Sequence, residues 1–434
     1  MQSTVGNNLS SVLVLTSSGG GGLIQAANAK IQEVLRKNPN AKIIRKDLLK
    51  EGVWRFAGKP AIEIWNNSQK TGNIKNLERL IYLQKFAEVI IWPAMFLWML
   101  GYIHKKKLDL VIDTQPLATS AILRAIRFYS WLKKKTVVFE KVIVDLPTSK
   151  ATHYFDSIKK IPQKDKAFLR LITIPPLLEN GETSEEFWQK NCALSEKNVC
   201  YQEYYIRQGF HPYHKLQRPK EDYEVEIAYK HPKELEYLKD ICKKTKEPFQ
   251  VQGNNVRFTI GKNDRLVTIL LGSQPAYSAT LNYVKNMVEV GKGDPTRKYH
   301  IFVFCADHTE NAPSLFQLMH DLIIQMKDLP PNFSVIPLSF QDESVIASLF
   351  FRSDLTITRS GGQTSLELMC VMSGQKWIHS EAKKRKGEDV ISREDLLKGI
   401  PGWEAGNACY LEQKTGARIV TPETVGDSFQ EFIQ

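Results

Sequence analysis

Two glycine-rich turns carry the residue types best suited to chemistry. Gly19, Gly20, Gly21 and Gly22 follow the apolar run 11–16 (SVLVLT), and Arg359-Ser360-Gly361-Gly362-Gln363-Thr364 follows the strand expected at 355–358. Glycine after a buried strand lets the backbone approach a ligand closely. The N–H groups and dipole at the start of the next helix then attract negative charge. The chemistry so indicated is phosphate binding. A tight turn that needs positive φ is the competing reading, because glycine punctuates strand-to-helix turns generally. Four glycines in succession weigh against a turn alone, since each costs chain entropy on ordering.

Commoner sites fit poorly. The spacing GxGxxG fails in either register, because Ile24 or Gln25 stands where the third glycine belongs. GxxxxGK[ST], HExxH, GxSxG and a pair of aspartates two apart are all missing. His211 and His214 lack a further cysteine or acid at metal-ligand spacing, so no metal is expected. These exclusions leave a metal-independent, two-domain α/β protein with phosphate-type loops in both halves, which suggests a sugar-nucleotide enzyme.

The elements that must position these turns alternate β and α. Runs 11–16, 41–45, 108–113 and 136–145 read as buried strands separated by helical stretches, with 77–103 a long apolar helix. Residues 156–260 are less regular, with a helix over 232–246. A second series follows: strands at 266–271, 300–304, 334–337 and 355–358, and helices at 314–326, 343–351 and 361–372. The expected fold is α/β, with two Rossmann-like, doubly wound domains. Residues 1–260 form the first, with 156–260 as its irregular elaboration, and residues 261–434 form the second. A length of 434 residues fits two domains of roughly 150–200 residues. Hydrophobic content of 42% and charged content of 24% exclude wholesale disorder and fibrous classes. Six scattered cysteines without CxxC spacing argue against a disulfide framework and for a reducing, cytoplasmic setting. The first ten residues do not read as a signal peptide.

Four segments, in order, resemble one family. They are the glycine loop from Ser17 with Lys46-Asp47-Leu48, then Val144-Asp145-Leu146-Pro147-Thr148 running on to Thr152-His153-Tyr154-Phe155. The donor-type loop from Thr358 to Glu367 follows, and Pro401-Gly402-Trp403-Glu404-Ala405-Gly406-Asn407 closes the set. Together they resemble GT-B glycosyltransferases of the branch holding monogalactosyldiacylglycerol synthase and the peptidoglycan N-acetylglucosaminyltransferase. The resemblance implies two domains facing each other across a cleft. The second would bind a UDP-sugar donor, the first a hydroxyl acceptor, lipid or protein, and transfer would invert the anomeric centre. It also implies that Gly361, Gly362 and Thr364 meet the diphosphate, within the loop that includes Ser360 and Gln363. Arg359 would offset the leaving charge, Glu367 would hold the ribose, and Glu404 and Asn407 would face the sugar. Gly20, Gly21 and Gly22 form the first-domain glycine loop. The spacing Thr364-x-x-Glu367 fits a helix capping box equally well.

The pattern departs from the family at two points. Gly22 and Lys150 stand where it has histidines, which leaves Asp145 and His153 as candidates for the general base; histidine is the side chain whose ordinary pKa suits that role. The basic run 383–386 belongs to an insertion, either a lid or a solvated loop. A catalytically silent binding protein on the same scaffold and an epimerase-like enzyme are the alternatives.

The net charge is +12, from 59 Lys and Arg against 47 Asp and Glu. An anionic partner is expected, but no basic motif interleaved with aromatics points to nucleic acid. Residues 89–103 are shorter than the roughly 20 residues of a membrane-spanning helix and contain Pro93. Flanked by lysines at 105–107, with more at 133–135, the segment fits either of two places. It is an interfacial helix on the inner face of an anionic membrane, or a core helix between strands. Its lack of a clean polar face favours the core.

Overall fold

The computed structural model describes residues 10–18, 21–51, 55–202, 205–292, 297–310, 313–387 and 390–434. In chain order the first half comprises β1 (Ser11–Thr16), α1 (Gly21–Lys37), β2 (Lys42–Asp47), α2 (Arg55–Lys70), α3 (Ile74–Lys106), β3 (Leu110–Asp113) and α4 (Thr119–Lys133). It continues with β4 (Val138–Val142), α5 (Thr152–Lys159), α6 (Gln163–Lys166), β5 (Leu169–Thr173), α7 (Ser184–Cys192) and β6 (Val199–Tyr201). The strands pair in parallel in the order β2-β1-β3-β4-β5-β6. Every residue of β1 and β3 is buried, as a parallel strand covered on both faces requires.

After Tyr201 the chain crosses over to the second half. β7 (Tyr223–Ala228), α8 (Pro232–Thr245), β8 (Gln250–Gln252) and β9 (Asn255–Ile260) make a small antiparallel sheet, ordered β7-β9-β8, and a helix. β10 (Arg265–Leu270), α9 (Tyr277–Gly291), β11 (Tyr299–Phe304), α10 (Leu315–Gln325), β12 (Phe333–Leu338), α11 (Glu343–Arg352), β13 (Leu355–Thr358) and α12 (Gly362–Val371) follow. β14 (Gln375–His379), α13 (Arg393–Lys398), α14 (Gly402–Thr415), β15 (Arg418–Val420) and α15 (Val425–Ile433) complete it. The second parallel sheet runs β12-β11-β10-β13-β14-β15. In doubly wound sheets ligands sit beyond the carboxyl ends of the strands where the order reverses. Those points lie between β1 and β3 and between β10 and β13. The two carboxyl ends face each other across a cleft, the GT-B arrangement.

The described residues correct the domain reading. α8 packs on α10 and β12, and β7 packs on α11, so residues 223–260 belong with the second half rather than the first. The alternation of buried and exposed residues along β7 is a half-covered edge, weaker in sequence than a continuous apolar run.

α3 departs further from expectation. It runs for 33 residues, with Asn73 capping its start and Pro93 inside it. Its buried residues are Leu77, Met95, Met99 and Ile103. Tyr82, Leu83, Phe86, Val89, Ile90 and Leu97 are exposed, and Phe128, Trp131 and Leu132 of the adjacent α4 extend the same apolar character. The helix is therefore not a core helix. It is long and apolar enough to cross a membrane by length and composition, and 17% of its most apolar window is buried. The basic run at 383–386 is exposed, with Arg385 donating to Asp395 at 2.6 Å, so this stretch is a solvated loop.

Candidate functional site

A cavity of about 480 Å³ fills the cleft. Its second-half wall comes from the turn after β10, where Gly272 has φ +84, and from the turns after β11 and β12. The loop joining β13 to α12 completes that wall. Gly361 caps α12 in an extended conformation, so Gly362, Gln363 and Thr364 form the first turn, with Gly361, Gly362 and Thr364 lining the cavity. This start places Thr364 inside the helix and rules out the capping-box reading of Glu367. A Cβ on Gly362 would come within 2.0 Å of the Val144 carbonyl oxygen and 2.8 Å of Asp145 Cα. Only glycine permits the two halves to approach so closely there.

On the facing side Gly21 and Gly22 line the same cavity, Gly21 against Ser273 and Gly22 against Val144 and Gln363. Gly20 lies outside the described residues. β4 delivers Asp145, and the start of α5 delivers His153. His153 Nε2 lies 3.0 Å from Asp145 Oδ2, while the buried Nδ1 has no partner among the described residues. The imidazole packs between Tyr154 and Trp403, with ring centroids at 4.6 and 5.8 Å.

The residues expected at the sugar divide. Glu404 lines the cavity beside Arg359. Burial pushes its carboxyl up to about 7; Arg359 opposes that rise and Asp145 adds to it. Asn407 does not face the cavity. It is fully buried and its amide is spent within the protein: across the halves Oδ1 accepts from Leu146 N at 2.7 Å and Nδ2 donates to Asp145 Oδ1 at 2.8 Å, and within its own half Nδ2 donates to the Ser360 carbonyl at 2.7 Å. Ser360 likewise turns away, its hydroxyl donating to the Glu404 carbonyl at 2.9 Å. Arg359 lines the cavity and donates to the Gln69 carbonyl at the end of α2 at 2.8 Å.

Glu367 is held rather than open. Arg207 donates to it from Nε and Nη2, each at 2.7 Å, and Gln363 Nε2 adds a bond at 3.1 Å. Sequence reasoning missed Arg207, which sits in an irregular stretch with no motif around it. It also missed Trp65, which stacks on Trp403 at 5.8 Å and forms part of an apolar wall with Ile62, Leu80, Ile81, Leu83 and Leu117.

A buried polar group supports the first-half wall. Lys141 and Asp113, both fully buried, pair at 2.7 Å, and Lys141 also donates to the Gln115 carbonyl. Tyr154 donates to the Thr114 carbonyl at 2.8 Å, and Ala118 N donates to Glu88 at 2.8 Å. Together these fix residues 113–118, from which Pro116 and Leu117 line the cavity.

No family model matches the chain, and no curated protein matches it. Among solved structures the chain is similar to MurG of Acinetobacter baumannii, at 13% identity and a TM-score of 0.45 over 98% of this chain and 91% of that one. It is similar also to a glycotransferase of kitacinnamycin, at 10% and 0.45 over 98% and 91%. A third is the UDP-GlcNAc 2-epimerase of Neisseria meningitidis bound to UDP-GlcNAc, at 13% and 0.40 over 98% of each chain. At such identities and scores the likeness says nothing of substrate or reaction.

Proposed function

We propose that this protein is a metal-independent glycosyltransferase that moves a sugar from a UDP-sugar to a hydroxyl acceptor with inversion. The observation that carries the reading is the Asp145–His153 pair, which faces the α12 turn across one cavity. The Asp145 carboxylate, 3.0 Å from Nε2, favours the tautomer that carries the proton there and leaves Nδ1 to take a proton from the acceptor hydroxyl. The hydroxyl oxygen then attacks the anomeric carbon as the bond to the diphosphate breaks. Charge gathers on the leaving diphosphate, where the first turn of α12 and the guanidinium of Arg359 offset it without a metal. Glu404, protonated to a substantial extent near neutrality, can donate a hydrogen bond to a sugar hydroxyl as well as accept one.

The test is a melting series with UDP, GDP and ADP, repeated in EDTA. A ligand bound only by the folded state raises the melting temperature by mass action. UDP should give the largest rise, undiminished by EDTA. No rise with any nucleotide at millimolar concentration would sink the donor site.

The acceptor is proposed to be a lipid, with the protein peripheral on the cytoplasmic face of a membrane. Leu83 both lines the cavity and is exposed, so the apolar wall continues onto the outer face of α3. Exposed lysines at 105–107 and at 133 and 134 flank that face, which matches an anionic bilayer. Phosphatidylglycerol vesicles should sediment the protein where phosphatidylcholine vesicles do not. Equal recovery with the two would remove this part of the reading.

A further inference from the structure

The nucleotide end of the cleft is built differently from a bare carboxylate awaiting a ribose. An ionised carboxylate has four accepting positions on its two oxygens. The side chain of Glu367 is 1% exposed, and its Oε1 accepts from both Arg207 Nε and Gln363 Nε2. Its Oε2 accepts from Arg207 Nη2. Among the described residues these donors fill three positions and leave one, on Oε2.

Arg207 is not free to swing aside. Its guanidinium packs over the ring of Phe210 at 5.0 Å. The following backbone is tied to both halves of the molecule, with Gln208 N donating to Gln32 at 3.0 Å and Gly209 N to Glu343 at 3.0 Å. Expelling the guanidinium would break a buried, two-point ion pair, a larger loss than one ribose hydroxyl returns. Both residues line the cavity, so a bound nucleotide meets the pair as it stands.

We propose that Arg207 is a positioning residue that sets selectivity for the nucleotide's sugar: holding Glu367, it leaves the carboxylate one ribose hydroxyl to accept, so the site takes 2′-deoxyribonucleoside diphosphates as well as ribonucleoside diphosphates. The inference rests on the donor-site reading above. A carboxylate with both oxygens open would accept the 2′- and 3′-hydroxyls together and reject a nucleotide lacking one of them. With a single position left, the 3′-hydroxyl common to both nucleotides fills it, and removal of the 2′-hydroxyl costs little.

The experiment is calorimetric titration of the full chain with UDP and with 2′-deoxy-UDP. The wild type should bind the two within about threefold. Arg207→Lys, which keeps the charge but makes a one-point contact, should open a second accepting position. It should then prefer UDP by about tenfold or more, the worth of one hydrogen bond to a charged group. A wild-type preference for UDP above threefold overturns the proposal, and so does a lysine variant whose ratio matches the wild type. The wild-type ratio decides even where the variant fails to fold. If neither nucleotide binds the wild type, the donor site itself is refuted, and this inference falls with it.

Discussion

Replacement of His153 by alanine should lower turnover by about 10²- to 10⁴-fold, the range a positioned general base contributes. UDP affinity should change little, because the imidazole is carried by α5 of the first half and paired with Asp145 of the same half. Asp145→Asn sharpens the expectation. It keeps the side-chain shape but removes the negative charge that favours the proton on Nε2, so the unpartnered Nδ1 is no longer reserved as the base. Turnover should fall in this variant also, with the melting temperature largely retained. Undiminished turnover in His153→Ala would refute the base assignment while leaving the donor site intact.

Lys141→Ala should destabilise the protein by about 3–5 kcal/mol, the usual cost of leaving one partner of a buried pair uncompensated. Burial disfavours the charge on Lys141 and on Asp113 alike, and each opposes that cost for the other. Removing the lysine leaves the buried Asp113 without a cationic partner among the described residues, held only by neutral donors of Gln115, its N–H at 3.2 Å included. It also releases the Gln115 carbonyl, and with it the turn that presents Pro116 and Leu117 to the cavity. The double variant Lys141→Met with Asp113→Leu should recover most of the loss, since an apolar pair needs no compensation. Denaturant unfolding measures both; a loss below about 1 kcal/mol in the single variant would show the pair to be dispensable.

What the sequence made legible follows from range. β13 was readable to its ends because the strand-favouring run Leu-Thr-Ile-Thr stops at Arg359, and the α12 turn because glycines follow a buried strand. Asp145 and His153 lie eight positions apart and could be named together, although their contact could not. Arg207 and Glu367 are 160 positions apart, and nothing local to either announces a two-point ion pair. Asn407 was placed at the sugar by its motif, whereas its burial against Leu146 is set by how the halves meet. α3 shows a different limit. Its composition does not distinguish a helix buried among strands from one left open, because that depends on whether neighbours cover it. Here α2 and α4 cover only part.

Asn407 has a further consequence, for any attempt to treat the halves as interchangeable parts. Its amide completes the hydrogen bonding of the 145–146 turn, and Tyr410 on the same helix donates to the Pro175 carbonyl at 2.9 Å. The 145–146 turn of the first half is thus finished by a helix that the chain supplies more than 200 residues later. A second half grafted from another protein would bring its own helix and leave that turn unsatisfied. Any exchange of halves must therefore keep 402–410 with the first half, or redesign 144–148 to suit the newcomer.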